Sequence, residues 1–130
     1  MATTTATLTL SSAALTGDAL SLSTTATLTK AGTVTGLDQT TGVGRKTYSS
    51  TSIATLVEKA DYADDKAHKV YIRNTSTVAT ENIAITVEAQ LLGRLYAGDW
   101  ALLPFNGDQD IKVTPSVATA LTVEYLVIFE

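Results

Sequence analysis

Cysteine is absent from the 130 residues of this chain, and histidine and tryptophan occur only once each. The missing cysteines exclude disulfide bonds, thiolate metal sites and a cysteine nucleophile. A catalytic triad or a histidine-based metal site needs a constellation of partner residues, which a lone His68 does not supply. We therefore predict that the chain is not an enzyme and that it holds no metal ion or cofactor.

Charge is also scarce. Charged residues make up 17% of the chain, and 9 Lys and Arg against 13 Asp and Glu give a net charge of −4. A nucleic-acid-binding surface needs an excess of basic residues, so we expect no nucleic-acid partner. Between Met1 and Leu37 the only charged residues are Asp18 and Lys30. This stretch is either a well-covered part of the core or a surface that another subunit covers, and the sequence leaves both interpretations open.

Long hydrophobic runs are missing as well. Met1 is followed by alanine and threonine, without the basic and apolar regions of a secretory signal. No run approaches the roughly twenty apolar residues that a membrane-spanning helix needs. We therefore expect a soluble protein that has no membrane partner and does not leave a cell through this N-terminus.

The hexapeptide TTATLT occurs twice, at Thr4–Thr9 and at Thr24–Thr29. Around both copies, leucine and alanine fall mostly on even positions while threonine and serine alternate with them, a period of two that is typical of a β-strand. Thr16-Gly17-Asp18 between them has the composition of a turn. The pattern predicts one long β-hairpin over residues 1–35, with one copy of the hexapeptide on each strand.

The register of this hairpin follows from its faces. Cross-strand neighbours share a face, so even positions must lie opposite even positions, and a three-residue turn would place Leu8 opposite Ala26. The hairpin has no lysine or proline before Lys30, although natural proteins use these residues to protect exposed edges. We therefore hypothesise that residues 1–35 work as an assembly arm.

The main body, residues 36–130, is expected to consist of short strands. Gly32–Gly44 is rich in turn residues and predicts a loop, Arg45–Ser50 predicts a short strand, and Ser52–Ala60 fits either a short helix or an irregular strand. The clear strand patterns are KVYIR, NIAITVE, GRLYAGDWALLPF with a tight turn at Ala97-Gly98-Asp99, DIKV and ALTVEYLVIFE. The last of these ends apolar on both faces, which is typical of a central strand.

Eight or so short strands with almost no helix predict an all-β fold. We expect one domain over residues 1–130, built as an antiparallel β-sandwich with a long N-terminal hairpin. A jelly roll is the specific form that we predict.

Trp100 belongs to the main aromatic cluster of the sequence, together with Tyr96, Leu102 and Phe105. Such clusters are usually core, but tryptophan and tyrosine are also favoured anchors at interfaces. Alternation separates Trp100 and Leu102 from Phe105, so one of the two sets faces away from the core, and Trp100 is left open between core and interface. The residues predicted to contact other molecules are Leu8, Leu10, Leu22, Leu28, Tyr96, Trp100, Leu102 and Ile128.

Other patterns carry less weight. The acidic run at Asp61, Asp64 and Asp65 lacks the ligand spacing of a calcium loop, and TGVGRK lacks the glycine spacing of a phosphate-binding loop. We expect the acidic run to be a solvated loop and His68 to lie in a loop or at the start of a strand. Glu88 and Asp99 are left open as the carboxylate pair of a glycosidase, although no feature favours them.

The segments KVYIRNTS, GRLYAGDWALLPF and DIKVTPSVATALTVEYLVIFE resemble the small structural proteins of tailed bacteriophages, particularly those that infect marine cyanobacteria. TKAGTVTGLDQTTGVGRK is similar to them as well, so the resemblance covers Thr29–Glu130. It implies a virion protein with a β-sandwich fold and no catalytic residues. The most specific implication is a capsid decoration (cement) protein, a homotrimer that binds the outer surface of the major capsid protein lattice and stabilises the head.

Such a protein would be made in the host cytoplasm and located on the virion. Within the same class, the alternative is a structural protein of the tail, baseplate or fibre. A different class is a carbohydrate-binding adhesin module, in which Tyr96 and Trp100 would form a stacking platform for sugars.

Overall fold

A computed structural model of the chain describes residues 3–15, residue 17 and residues 19–130. Two residues of the predicted turn, Thr16 and Asp18, and the first two residues of the predicted hairpin lie outside the described residues. The strands are β1 (Thr4–Ser12), β2 (Leu20–Leu28), β3 (Gln39–Thr40), β4 (Gly44–Tyr48), β5 (Ala54–Val57), β6 (His68–Asn74), β7 (Asn82–Val87), β8 (Gln90–Tyr96), β9 (Trp100–Phe105), β10 (Ile111–Pro115) and β11 (Leu121–Phe129).

Two antiparallel sheets form the body. One has the strand order β5-β10-β7-β8, and the other has the order β3-β11-β6-β9, with β4 also paired to β11. The sheets pack together, so the predicted antiparallel all-β sandwich is confirmed, whereas its jelly-roll form stays a prediction. Strands β1 and β2 form a separate two-stranded sheet, which is the predicted N-terminal hairpin.

The core lies between the two sheets and follows the alternation in the sequence. Val70 and Ile72 of β6 face Ile83 and Ile85 of β7, and all four side chains are buried. The full core cluster draws on both sheets and consists of Leu56, Val57, Val70, Ile72, Ile83, Ile85, Phe105, Ile111, Val113, Leu121, Val123 and Val127.

Strand β11 occupies the centre of the larger sheet. It pairs with β6 along one edge and with β3 and β4 along the other. This position explains why its last residues are apolar on both faces and confirms the prediction of a central strand. Glu130, just beyond it, accepts a hydrogen bond from the backbone N–H of Ala31 (N···Oε2 3.2 Å) and so joins the end of β11 to the base of the hairpin.

The segment Ser52–Ala60 is a strand and not a helix. Residues Ala54–Val57 pair with β10 as β5, and only a short 3-10 turn at Lys59–Asp61 follows. The helical spacing of its apolar residues was therefore a wrong indication. Burial of Leu56 and Val57 against the core stabilises the extended conformation instead.

The tight turn predicted at residues 97–99 is present, and it passes the chain from one sheet to the other. Strand β8 before the turn pairs with β7, and β9 after it pairs with β6. Gly98 has φ +82°, a conformation that glycine adopts without strain. Asp99 donates its backbone N–H to the Tyr96 carbonyl, at an N···O distance of 2.9 Å, and closes the turn. Both β8 and β9 are therefore edge strands.

The hairpin has the predicted parity but a different register. Even positions lie opposite even positions, but Leu8 pairs with Thr24 and Ala6 pairs with Ala26. The predicted pairing of Leu8 with Ala26 is wrong because the connection spans residues 13–19, centred on position 16, whereas the assumed turn at residues 16–18 is centred on position 17. Moving the centre of the connection by one position shifts the register by two residues, which keeps every side chain on its face.

Candidate functional site

The hairpin β1–β2 is the most exposed element among the described residues. Every side chain of β2 is exposed except Leu28, and the strands pair only with each other. Both outer edges therefore present unpaired backbone groups. A single two-stranded hairpin is marginally stable in water, so this element gains stability when something else covers it.

One face of the hairpin is apolar. Leu10 and Leu22 lie opposite each other and are each 45% exposed, while Leu8 and Leu20 on the same face are 37% and 36% exposed. The other face consists of threonine and serine, and the hydroxyls of Thr7 and Thr25 hydrogen-bond across it, at an O···O distance of 2.8 Å. Among the described residues, neither a charged side chain nor another element covers the outer half of this apolar face.

The inner half of this apolar face approaches the body. Ala6, Leu8 and Ala26 line a gap of about 280 Å³ together with Trp100 and Leu102 of β9. The hairpin therefore leans over the outer surface of the larger sheet. The gap shows that the two elements face each other without close packing.

Trp100 lies outside the core. Its side chain is 53% exposed, so the core interpretation of Trp100 is wrong. Phe105, by contrast, is buried and contacts Tyr62, with ring centroids 5.5 Å apart. The aromatic cluster of the sequence is thus divided by the strand, because alternate residues of β9 point to opposite faces of the sheet.

The remaining candidate contact residues have different surroundings. Tyr96 is 47% exposed at the end of β8, and Leu102 is exposed on the outer face of β9. Ile128 is half-buried on β11, opposite Lys69 of β6. Leu28 is buried at the base of the hairpin, where its carbonyl accepts a hydrogen bond from the Leu37 N–H (N···O 3.0 Å). The side chain of Leu28 is therefore not available to another molecule.

A second apolar feature is a cleft between the two edge strands β8 and β9. Its volume is about 650 Å³, and its apolar walls are Val87, Leu92, Leu103, Pro104, Phe105 and Ile111. No hydrophobic motif in the sequence indicated this cleft, because four separate strands supply its walls. The signal that was present is the apolar Leu91-Leu92 pair on an edge strand, where both side chains are more than half exposed.

A polar network crosses the outer face of the larger sheet. The guanidinium of Arg45 donates to Glu124 (Nη2···Oε2 3.0 Å), and the Tyr71 hydroxyl donates to the other carboxylate oxygen at 3.2 Å. The hydrogen bond from Arg45, with that from Tyr71, holds the pKa of Glu124 below its ordinary value. Burial, followed by the hydrogen bond to Glu124, raises the pKa of Tyr71. The network fixes three strands to one another.

His68 is buried at the start of β6, which confirms the second of its two predicted positions, a loop or the start of a strand. Its Nε2 lies 3.0 Å from the Ala63 carbonyl oxygen, and its Nδ1 lies 3.3 Å from the backbone N of Glu130. A ring that donates from Nε2 and accepts at Nδ1 satisfies both contacts. Both nitrogens are therefore occupied by the backbone, which leaves neither for a substrate.

The other patterns do not form sites in the described part of the chain. Asp61, Asp64 and Asp65 are exposed, and no cluster of three metal-ligating side chains occurs among the described residues. Gly44 lies inside strand β4 and not in a phosphate-binding loop.

Glu88 and Asp99 do not face each other. They lie beyond opposite ends of β8, a strand of seven residues that spans roughly 24 Å. The carboxylates of a glycosidase are separated by no more than about 9.5 Å. The possible glycosidase pair is therefore wrong.

Among the described residues, no helix is long and apolar enough to cross a membrane. No family model, curated protein or solved structure matches this chain. The hairpin with its apolar face and the β8–β9 cleft are thus the features of the described structure that bear on function.

Proposed function

We propose that this chain is a structural protein of a bacteriophage particle, and specifically a capsid decoration protein that binds the outer surface of the major capsid protein lattice. It is made in the host cytoplasm, performs no reaction and stabilises the head by burying surface across the joints between capsid subunits. The resemblance of Thr29–Glu130 to small phage structural proteins supports the class of protein.

The observation that carries this proposal is the exposed hairpin. Leu10 and Leu22 are each 45% exposed on an element whose two edges are unpaired within the described chain. A free monomer gains nothing from such an element, since exposed flat edges promote pairing with other chains. A subunit of a larger particle gains a contact surface from it, so the hairpin acts as the assembly arm.

The body is suited to the same role. The sandwich packs a continuous core between its sheets, and the Arg45–Glu124–Tyr71 network ties the strands of its outer face together. A rigid body can transmit a contact made by the arm across a subunit joint. A trimer on the lattice is the assembly that the phage resemblance implies.

The proposal is tested on heads of the phage that encodes this chain. Heads prepared without the protein are mixed with wild-type protein, with the double variant Leu10→Asp/Leu22→Asp, or with the control Thr9→Asp, which changes the opposite face. We expect the wild type and the control to sediment with the heads and to raise their resistance to heat, and the double variant to stay in solution. Absence of the protein from purified particles, by mass spectrometry, would contradict the proposal.

Binding to tails or baseplates and not to heads would support the alternative of a tail-associated structural protein. The same sedimentation assay separates the two, because heads and tails are prepared as different fractions. The gene next to this one gives an independent indication: a major capsid gene favours the head, and a tail-tube or sheath gene favours the tail.

A carbohydrate-binding module is the second candidate, and one observation favours it. Tyr96 and Trp100 are 47% and 53% exposed on either side of the turn between β8 and β9, and exposed aromatic rings can stack on sugars. Under this candidate, Trp100→Ala abolishes binding on a glycan array while the thermal unfolding temperature stays unchanged. Decoration requires no glycan binding at all.

A further inference from the structure

The chain exposes more surface than a compact monomer of its mass. Accessible surface scales with mass in folded monomers, and a 13.6 kDa chain is expected to expose roughly 6,600 Å². This chain exposes 7601 Å². The excess of about 1,000 Å² is comparable to the roughly 800 Å² that each partner buries in a standard protein interface. Burial of one interface of ordinary size would therefore reduce the exposed area of the chain to that of a compact protein.

The outer half of the hairpin, residues 10–15 and 20–22, supplies the projecting part of this surface. Leu10 and Leu22 form a cross-strand apolar pair, and Leu15 beyond them is 70% exposed. The inner half faces Trp100 and Leu102 of the same chain, whereas the outer half extends past them. None of the described residues of the hairpin lines the β8–β9 cleft of its own chain.

The β8–β9 cleft supplies a concave surface of the same chemistry. Its volume of about 650 Å³ lies within the range of roughly 300–1,000 Å³ that is typical of binding clefts. Leu92 on its wall is 57% exposed, and Val87 is only half-buried, so the chain does not fill the cleft by itself. Lys66 and Lys69 also line the cleft, and neither forms an ion pair with another described residue.

We propose that the outer half of the hairpin of one copy docks in the β8–β9 cleft of a second copy. The leucines of the hairpin fill the cleft and contact its apolar walls. The sequence before Lys30 contains one acidic residue and no basic one, so its charge suits a cleft that is lined by two lysines. This inference rests on the proposed role of the hairpin as an assembly arm and names what the arm binds.

The contact joins two different surfaces and is therefore heterologous. When the contact is repeated from copy to copy, the copies form a closed ring if the rotation between neighbours is a whole-number fraction of 360°. Otherwise they form an open filament. Each copy donates one hairpin and receives one. The hairpin faces Trp100 and Leu102, and the rest of the outer face of the larger sheet stays free for the capsid lattice.

The absence of cysteine makes the contact directly measurable by disulfide cross-linking. The variants Leu15→Cys and Leu92→Cys are prepared separately, mixed and oxidised with oxidised glutathione. Both side chains are exposed, so neither substitution disturbs the core. A disulfide needs Cα atoms within about 7 Å, so rapid formation requires that docking brings these two positions together. The control pairs Leu92→Cys with Val34→Cys, whose side chain is 95% exposed on a loop outside the contact.

We expect the Leu15–Leu92 pair to form the heterodimer roughly 100-fold faster than the control pair, since docking raises the effective concentration of the two thiols. A chain that carries both substitutions is expected to give a covalent ladder that ends at the number of copies in the ring. Equal rates for the two pairs would overturn the proposal. Cross-linking of Leu92→Cys to the capsid protein in decorated heads, and not to Leu15→Cys, would also overturn it.

The two proposals fail in different ways. Loss of the Leu15–Leu92 cross-link with normal binding to heads would contradict the copy-to-copy contact and leave decoration standing. A rapid cross-link in a protein that never appears on particles would contradict decoration and leave the contact standing.

Discussion

Leu10 lies directly opposite Leu22 across the N-terminal hairpin, and both side chains remain 45% exposed. A cross-strand leucine pair stabilises a sheet by burying apolar surface, and this pair buries only about half of its own. We therefore expect the hairpin to open more easily than the body in an isolated chain.

Amide hydrogen exchange as a function of protein concentration tests this expectation. The amides of β1 and β2 should exchange fast in dilute solution and become protected as the protein assembles, while the amides of β6 stay protected throughout. Slow exchange of β1 and β2 in a solution of monomers would contradict it.

The core between the sheets should dominate the free energy of unfolding. Ile72 is fully buried, so Ile72→Ala is expected to lower that free energy by about 2–5 kcal/mol. The matched control Leu91→Ala removes a side chain that is 56% exposed and should change it by less than about 0.5 kcal/mol. Urea unfolding followed by circular dichroism measures both, and equal effects would contradict the assignment of the core.

The body of the fold could be predicted because alternation decides which residues face inward. The sequence placed Val70 with Ile72 and Ile83 with Ile85, and the sheets bury all four. The hairpin register could not be predicted, because a pattern with a period of two looks the same after a shift of two residues. Only the position on which the connection is centred distinguishes the registers, and no residue in the repeat encodes it.

The candidate surface was predicted in part. Alternation showed that Trp100 and Phe105 point to opposite faces, but only the packing of the second sheet decides which of the two faces is buried. Leu28 has the same parity as Leu22 and is nevertheless buried, because the chain folds back so that Leu37 lies beside it. The β8–β9 cleft could not be predicted, since it arises between edge strands of two different sheets, whose packing the sequence pattern does not show.

Removal of the hydroxyl groups of two tyrosines should have different effects on the stability of the protein. The Tyr48 hydroxyl is buried without a hydrogen-bond partner among the described residues, whereas the Tyr71 hydroxyl donates to Glu124. Tyr48→Phe should therefore leave the thermal unfolding temperature unchanged or raise it, and Tyr71→Phe should lower it. A larger loss in Tyr48→Phe than in Tyr71→Phe would show that this account of the two hydroxyls is wrong.

The carboxylate of Glu124 should contribute to stability in a pH-dependent way. Its hydrogen bond from Arg45 lowers the pKa of Glu124 in the folded chain below the value of 4.5 that applies to an unfolded one. A lowered folded pKa stabilises the protein above pH 4.5, and this contribution is lost as the pH falls through the folded pKa.

The difference in stability between the wild type and Glu124→Gln should therefore be largest above pH 4.5 and shrink below it. Arg45→Gln is the partner variant and should remove the same part of the pH dependence. Thermal unfolding at a series of pH values measures it. If the thermal unfolding temperature of Glu124→Gln fell with decreasing pH by the same amount as that of the wild type, this would be evidence against the network.

The central claim is that the apolar face of the hairpin joins this chain to other molecules, and mass in solution tests it most directly. Native mass spectrometry is applied to the wild type, to Leu10→Asp/Leu22→Asp and to the opposite-face control Thr9→Asp. We predict a multiple of 13.6 kDa for the wild type and the control, and 13.6 kDa for the double variant. A wild-type mass of 13.6 kDa at every concentration, or an oligomer that survives the double substitution, would contradict the account.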